Sequence, residues 1–275
     1  MNPPILVTGG TGTLGRLVTP LLRAAGHPVR VLSRRGGPAT PGVEHVAGDL
    51  ATGVGVDDAF VPGTETVLHL AGGQQGDDKL ARTVARAARL AGVRHLVFIS
   101  VTGADRVPLA WLRNKLVAEE TIANSGVPWT TLRAAQFHEL TLTLVRKMSA
   151  LPIIPAPGMR LQPVDGREVA ARLAELALAA PAGLVPDLAG PTTYGMDELI
   201  RSYLRATGKR RLLVPVRLPG RAGRAYRAGA NLARDGATNG TRSWEEFLTE
   251  RVPPSGSVSR CAPGGSADAH RLHGE

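Results

Sequence analysis

Between the apolar run Ile5-Leu6-Val7 and a stretch with helical apolar spacing (Leu14, Leu17, Val18, Leu21, Leu22), the chain reads Thr8-Gly9-Gly10-Thr11-Gly12-Thr13-Leu14-Gly15. No other feature limits the possible folds as strongly. A buried strand ends here, a turn with glycines at 9, 12 and 15 follows, and a helix starts at once. The three glycines answer three needs: a tight turn, backbone approach to a pyrophosphate, and close packing of helix on strand. The helix start adds free N–H groups and a positive dipole end, which favour an anion. Gly9, Thr11, Gly12, Thr13, Leu14 and Gly15 are therefore the candidate phosphate loop. The alternative is a glycine-rich turn that serves packing alone.

The pattern that follows repeats strand and helix. Further short apolar runs occupy Val29 to Leu32, Val43 to Ala47, Thr66 to Leu70, His95 to Ile99 and Trp129 to Leu132. Helical spacing covers Thr13 to Ala25, Asp77 to Ala91 and Pro108 to Ser125, each closed by a glycine: Gly26, Gly92 and Gly126. Short apolar strands alternating with helices predict an α/β fold, a doubly wound Rossmann-type parallel sheet covered on both faces. Residues 1–150 are expected to form this domain. Residues 151–251 read as a small C-terminal substrate lobe. It holds a Pro-rich stretch from Pro152 to Pro163 and helices near Arg167 to Ala179, Met196 to Ala206, Leu218 to Ala233 and Ser243 to Glu250. A strand is expected at Arg211 to Val216. From 252 to 275 the chain loses periodicity and is expected to be a disordered tail.

Composition excludes several classes. No apolar run approaches the roughly 20 residues of a membrane span. Met1-Asn2-Pro3-Pro4 leads straight into a strand without signal-peptide features, so a cytoplasmic location is expected. The single cysteine, Cys261, permits no internal disulfide, and no ligand spacing points to a metal. The net charge is +10, but residues 201–251 hold 12 basic and 4 acidic side chains and carry most of it. Arg outnumbers Lys 29 to 4, and the basic residues spread over helical patterns, unlike the aromatic-studded grooves of single-strand binders. Solvated helix faces are expected here, with neither nucleic acid nor membrane as a partner.

The second strand ends in Ser33-Arg34-Arg35, where an NAD-selective site carries an acidic residue for the ribose 2′-hydroxyl. Arg34 can pair with a 2′-phosphate and Ser33 can support it, so NADP(H) is expected over NAD(H). Asp49 and Leu50 follow the third strand. Asp49 either accepts from an adenine amino group or caps the next helix. Ala71, Gly72 and Gly73 follow the fourth strand and either leave room for the cofactor or form a plain turn.

These segments together resemble the NmrA-like group of atypical short-chain dehydrogenase/reductases over about residues 4–250. The resemblance rests on ILVTGGTGTLG, GDL at 48–50, LAGG at 70–73, HLVFISVTGAD at 95–105, WLRNKLVAEE at 111–120, SGVPWTTLRAAQF at 125–137 and QPVDGREVA at 162–170. DLAGP at 187–191 and TRSWEEFL at 241–248 extend it. It implies an NAD(P)H-binding sheet with a C-terminal substrate lobe, and activities from quinone or carbonyl reduction to cofactor sensing without catalysis. The wider family catalyses with Tyr-x-x-x-Lys. Here Lys115 is kept and Trp111 stands in the tyrosine place. An indole N–H donates a hydrogen bond but has no usable acidity. By the resemblance, Lys115 binds the nicotinamide ribose; otherwise it is an exposed helix lysine. Ser100 and Thr102 follow the fifth strand. Thr102 matches a hydroxyl that polarises the substrate carbonyl in the family, or else caps the strand. His138 is a candidate substitute acid or a structural histidine. The expectation is an NADP(H)-dependent reductase of a small quinone-like or carbonyl substrate. A non-catalytic sensor is the alternative that Trp111 raises. Oligomeric state is left open.

Overall fold

The computed structural model of the chain describes residues 2–252 apart from 39, 74 and 75. The tail expected beyond 252, with Cys261, lies outside the described residues. The chain runs β1 (Ile5–Thr8), α1 (Thr13–Ala24), β2 (Val29–Ser33), β3 (Val43–Ala47), β4 (Thr66–His69), α2 (Asp77–Leu90) and β5 (His95–Val101). It continues through α3 (Ala110–Ala123), β6 (Trp129–Ala134), α4 (His138–Ser149), β7 (Ile153–Pro157), β8 (Arg160–Leu161) and α5 (Gly166–Leu178). Then come β9 (Gly183–Leu184), β10 (Leu188–Ala189), β11 (Tyr194–Gly195), α6 (Met196–Ala206), β12 (Leu212–Val216), α7 (Gly220–Arg227), β13 (Thr238–Asn239) and α8 (Trp244–Arg251).

Among the described residues, nine strands form one sheet in the order β13-β10-β6-β5-β4-β1-β2-β3, with β9 also paired to β6. Every pairing in it is parallel. Parallel strands need crossovers, and the crossing helices cover both faces, so the central strands are buried along nearly their whole length. Leu14, Val18 and Leu22 of α1 pack with Val169 and Leu173 of α5 on one face. Ala81, Val84 and Ala88 of α2 pack with Ala118 and Ile122 of α3 on the other. Strand order reverses at β1, between β2 and β4, which opens a crevice at the carboxyl ends.

Elements on both sides of residue 150 divide between two cores. α5 belongs to the central sandwich, and β9, β10 and β13 extend the sheet past β6. Conversely, Leu142 and Val145 of α4 join a separate core around Trp244 and Phe247, with α6, α8 and Ile154 of β7. The chain crosses between the two cores because β6 would otherwise be an edge with unpaired backbone groups. Strands of two residues leave no period to read, so the sequence did not disclose the crossing. The Pro-rich stretch also departs from expectation: β7 pairs in parallel with β12. The helix expected over Leu218 to Ala233 is shorter, since Gly229 takes φ +75° and turns the chain away.

Candidate functional site

The loop after β1 is shaped by close approaches. Gly9 has φ +73°, and a Cβ there would lie 2.6 Å from the backbone nitrogen of Ala71. A Cβ on Gly15 would lie 2.3 Å from the Cα of Gly10, so helix and loop touch backbone to backbone. Gly12 differs: a Cβ would meet only the Gly9 carbonyl oxygen, at 3.2 Å. Its backbone faces open space. α1 has no side-chain cap, so the N–H groups of its first turn are left for an anion or water. Arg16 Nε donates to the Thr11 carbonyl at 2.9 Å and holds the loop over this turn. Thr13 is exposed, whereas Leu14 and Gly15 are buried, so the last two offer only main-chain groups.

A cleft of about 530 Å³ runs along the carboxyl ends of β1, β2, β3 and β4. Gly9, Thr11 and Gly12 form one side, and Ser33, Arg34 and Asp49 another. Leu32, Leu50, Leu70 and Leu80 supply apolar walls suited to an adenine ring. Arg34 is exposed at its rim, while Arg35 does not line it. Ser33 Oγ donates to the Gly36 carbonyl at 3.1 Å and braces the turn that carries Arg34. One Asp49 oxygen accepts from Ala51 N–H at 2.9 Å, a local turn cap. A wider hollow of about 760 Å³ lies at the opposite end, against Pro4, Arg30 and Glu44. It faces the amino ends of the strands, away from the crevice where such sheets bind ligands.

Lys115 is buried, not an exposed helix lysine. Its Nζ lies 3.2 Å from Asp77 Oδ2, donates to the Ile99 carbonyl at 3.5 Å, and sits 5.2 Å from the Phe98 ring centroid. Asp77, 2% exposed at the first turn of α2, also accepts the Gly73 N–H at 2.8 Å. A Cβ on Gly72 would fall 2.9 Å from Asp77 and 3.0 Å from Lys115 Nζ. The Ala71-Gly72-Gly73 turn and Lys115 therefore form one unit. Sequence reasoning missed Asp77, because an acidic residue at a helix start reads as a dipole partner. Beside it, burial and then the Lys115 charge push the His69 imidazole down to about 3. Neutral His69 stacks on Phe98 and lies 2.6 Å from Thr8 Oγ1 through Nδ1.

The other candidates have different surroundings. Ser100 is buried and its hydroxyl donates to Glu119, which also pairs with Arg133 at 2.7 Å; Ser100 lines neither the cleft nor the neighbouring cavity. Thr102 does line that cavity, a space of about 30 Å³ at the carboxyl ends of β5 and β6, with Trp111, Gln136, Tyr226 and Asn231. Its hydroxyl donates to the Asn231 carbonyl at 2.9 Å. His138 stands away from both spaces. It is fully buried, packed on Trp244 and Phe247, with Nε2 3.2 Å from the Pro163 carbonyl. Burial lowers its pKa below the ordinary imidazole value, and the candidate acid of the sequence reading lines neither the cleft nor the cavity. Tyr226 occupies the cavity instead, and burial raises its phenol above the ordinary value. No local signal links residue 226 to residue 111; only the fold does.

Segment 229–234 closes this end. Asn231 Nδ2 donates to the Arg160 carbonyl at 2.7 Å, Arg106 donates to the Leu232 carbonyl at 2.6 Å, and Arg234 pairs with Asp105. Among the described residues, no cluster of three or more His, Cys, Asp or Glu is placed to hold a metal. No helix among them is long and apolar enough to cross a membrane.

The loop, the open Gly12 face and the cleft fit a dinucleotide, and comparison with known proteins agrees. The profile of a family described as NAD(P)H-binding matches residues 9–153, more than half of the chain. A (4-alkanoyl-5-oxo-2,5-dihydrofuran-3-yl)methyl phosphate reductase of Streptomyces griseus is 32% identical over 213 residues, 74% of each chain. The NADPH complex of quinone oxidoreductase QOR2 from Escherichia coli superposes with a TM-score of 0.74 at 21% identity, over 90% of this chain and 99% of that one. Triphenylmethane reductase of Citrobacter sp. with NADP(H) gives 0.74 at 22% identity, over the same shares. The chain belongs to the NAD(P)H-binding Rossmann-type family, and its structural neighbours lie in the NmrA-like, atypical short-chain dehydrogenase/reductase group.

Proposed function

We propose that the protein is an NADPH-dependent reductase of a small, activated acceptor of the quinone-like or conjugated carbonyl type. The first turn of α1 and the Gly12 backbone would hold the pyrophosphate. Arg34 would meet the 2′-phosphate, and Lys115, aimed by Asp77, the nicotinamide ribose. When bound, NADPH supplies a hydride to the acceptor.

The observation that carries the choice of acceptor is the cavity beside Trp111. Among the described residues, its lining includes Thr102, Gln136, Gln162, Tyr226 and Asn231, and no imidazole or carboxyl group. Trp111 and a Tyr226 held protonated by burial can donate hydrogen bonds to an oxygen, but neither is a ready acid near neutral pH. An acceptor whose reduced form is a stabilised anion can wait for a solvent proton; a simple ketone cannot. The reductase names of the relatives support the same reading. The cavity, about 30 Å³, has room for a few waters and not for an acceptor. Segment 229–234 would therefore have to swing away to admit an acceptor.

The test is a panel assay following NADPH absorbance with quinones, conjugated carbonyl compounds and simple ketones. Turnover confined to the activated acceptors is expected. Tight NADPH binding with no turnover of any acceptor would favour the sensor reading that Trp111 also permits.

A further inference from the structure

The two-stranded parallel sheet of β7 and β12 turns an apolar face to solvent. Its register pairs Ile153 with Leu212, Pro155 with Val214 and Pro157 with Val216, so these six side chains share one face. Ile153 is 55% exposed, Leu212 63%, Val214 41% and Val216 37%. The alternate residues Ile154 and Ala156 are buried in the lobe core. Prolines at 155, 157 and 215 remove N–H donors that a third strand would use, so addition of a peptide strand is disfavoured.

Basic residues flank β12 at both ends. From residue 199 to 234 the sequence has ten basic residues and no acidic one. Arg201, Arg205, Lys209, Arg210 and Arg211 line one hollow of about 250 Å³ beside Leu213, at the start of β12. Arg217 and Arg221 stand exposed beyond its other end. Asp197 lies 3.8 Å from Arg201. The sequence alone read this charge as solvated helix faces; the fold gathers five of these residues into one hollow at the start of the strand that carries the exposed apolar side chains.

We propose that this face docks on an anionic lipid bilayer, with Ile153, Leu212, Val214 and Val216 at the acyl boundary and the basic hollow on lipid phosphate. A second copy meeting the same face through a two-fold axis would bring basic rim against basic rim. A bilayer meets both demands at once: apolar depth under the sheet and negative charge at its rim. The docking does not depend on what the cleft reduces.

The experiment is co-sedimentation of the full chain with vesicles of equimolar phosphatidylglycerol and phosphatidylcholine, and with phosphatidylcholine alone. Binding to the anionic vesicles only, weakened by salt, is expected. The double variant Leu212→Ser/Val214→Ser should lose more than about tenfold in vesicle affinity. Arg210→Glu/Arg211→Glu should also lose more than about tenfold. Both alter exposed residues, so melting temperature and NADPH binding should stay as in the parent and serve as the folding control. Absence of binding to anionic vesicles overturns the proposal. So does a dimer, seen by sedimentation, that Leu212→Ser/Val214→Ser dissolves, because a second copy then covers the face. Vesicle binding untouched by the apolar substitutions, and displaced by duplex DNA, also overturns it in favour of a polyanion site.

Discussion

Lys115 Nζ and Asp77 Oδ2 lie 3.2 Å apart, with side chains 10% and 2% exposed, beneath the Gly72-Gly73 turn. The same carboxylate accepts the Gly73 N–H, so one residue charges the lysine's surroundings and fixes the turn. Asp77→Asn can keep the second contact while removing the first. It should destabilise the protein by about 3–5 kcal/mol, since it strands a buried cation. It should weaken NADPH binding as Lys115 shifts. The double variant Asp77→Asn/Lys115→Gln should be less destabilised than the sum of the singles in denaturant titrations. Strict additivity would mean the pair does not interact.

Gly12→Val should separate binding from folding. The added side chain projects into the open face of the loop, where only the Gly9 carbonyl is near. The melting temperature should change little, whereas NADPH affinity should fall at least about a hundredfold, ~2.7 kcal/mol. Gly15→Ala should do the opposite first. Its Cβ collides with the Gly10 backbone and should cost about 1–3 kcal/mol or more of stability. Melting curves and calorimetric titration of both variants check the contrast.

Arg34 sits at the rim of the cleft, exposed to solvent. Arg34→Ala should reduce the preference for NADPH over NADH by about 1.5–3 kcal/mol, toward the lower end because solvent and salt screen an exposed charge. Calorimetry with both cofactors measures it. Equal affinity of the unaltered protein for the two would rule out the 2′-phosphate role.

Tyr226→Phe tests whether the phenol in the cavity donates a proton or only a hydrogen bond. Loss of a hydrogen bond should lower kcat/KM less than about tenfold, against about 10²–10⁴ for loss of a general acid. The smaller effect is expected, with the pH profile of kcat unchanged. A drop of the larger size would make Tyr226 the proton source and extend the acceptor range to simple ketones.

His69 sets a pH dependence of stability. The unfolded chain protonates this group near the ordinary 6.5, the folded protein only near about 3. Its contribution is present above 6.5 and is lost as pH falls through that window, because the unfolded state takes up the proton first. His95 and His138, both lowered by burial, act in the same direction. Melting temperature should fall between about pH 7 and pH 5, and His69→Asn should flatten that slope.

The sequence by itself determined the sheet and one end of the site. Runs such as Ile5-Leu6-Val7 and Leu96 to Ile99 are apolar because both faces are covered, and the glycines at 9, 12 and 15 carry their geometry in their spacing. Local rules suffice where strand, turn and helix are neighbours in the chain. The other end of the candidate site was decided only by tertiary structure. Lys115 meets Asp77 across 38 residues, Thr102 meets Asn231 across 129, and His138 is removed from the site by Trp244 and Phe247. No period or motif encodes such meetings. They arise because parallel strands place distant segments side by side at one edge, and because β6 recruits late, two-residue strands to cover its open side.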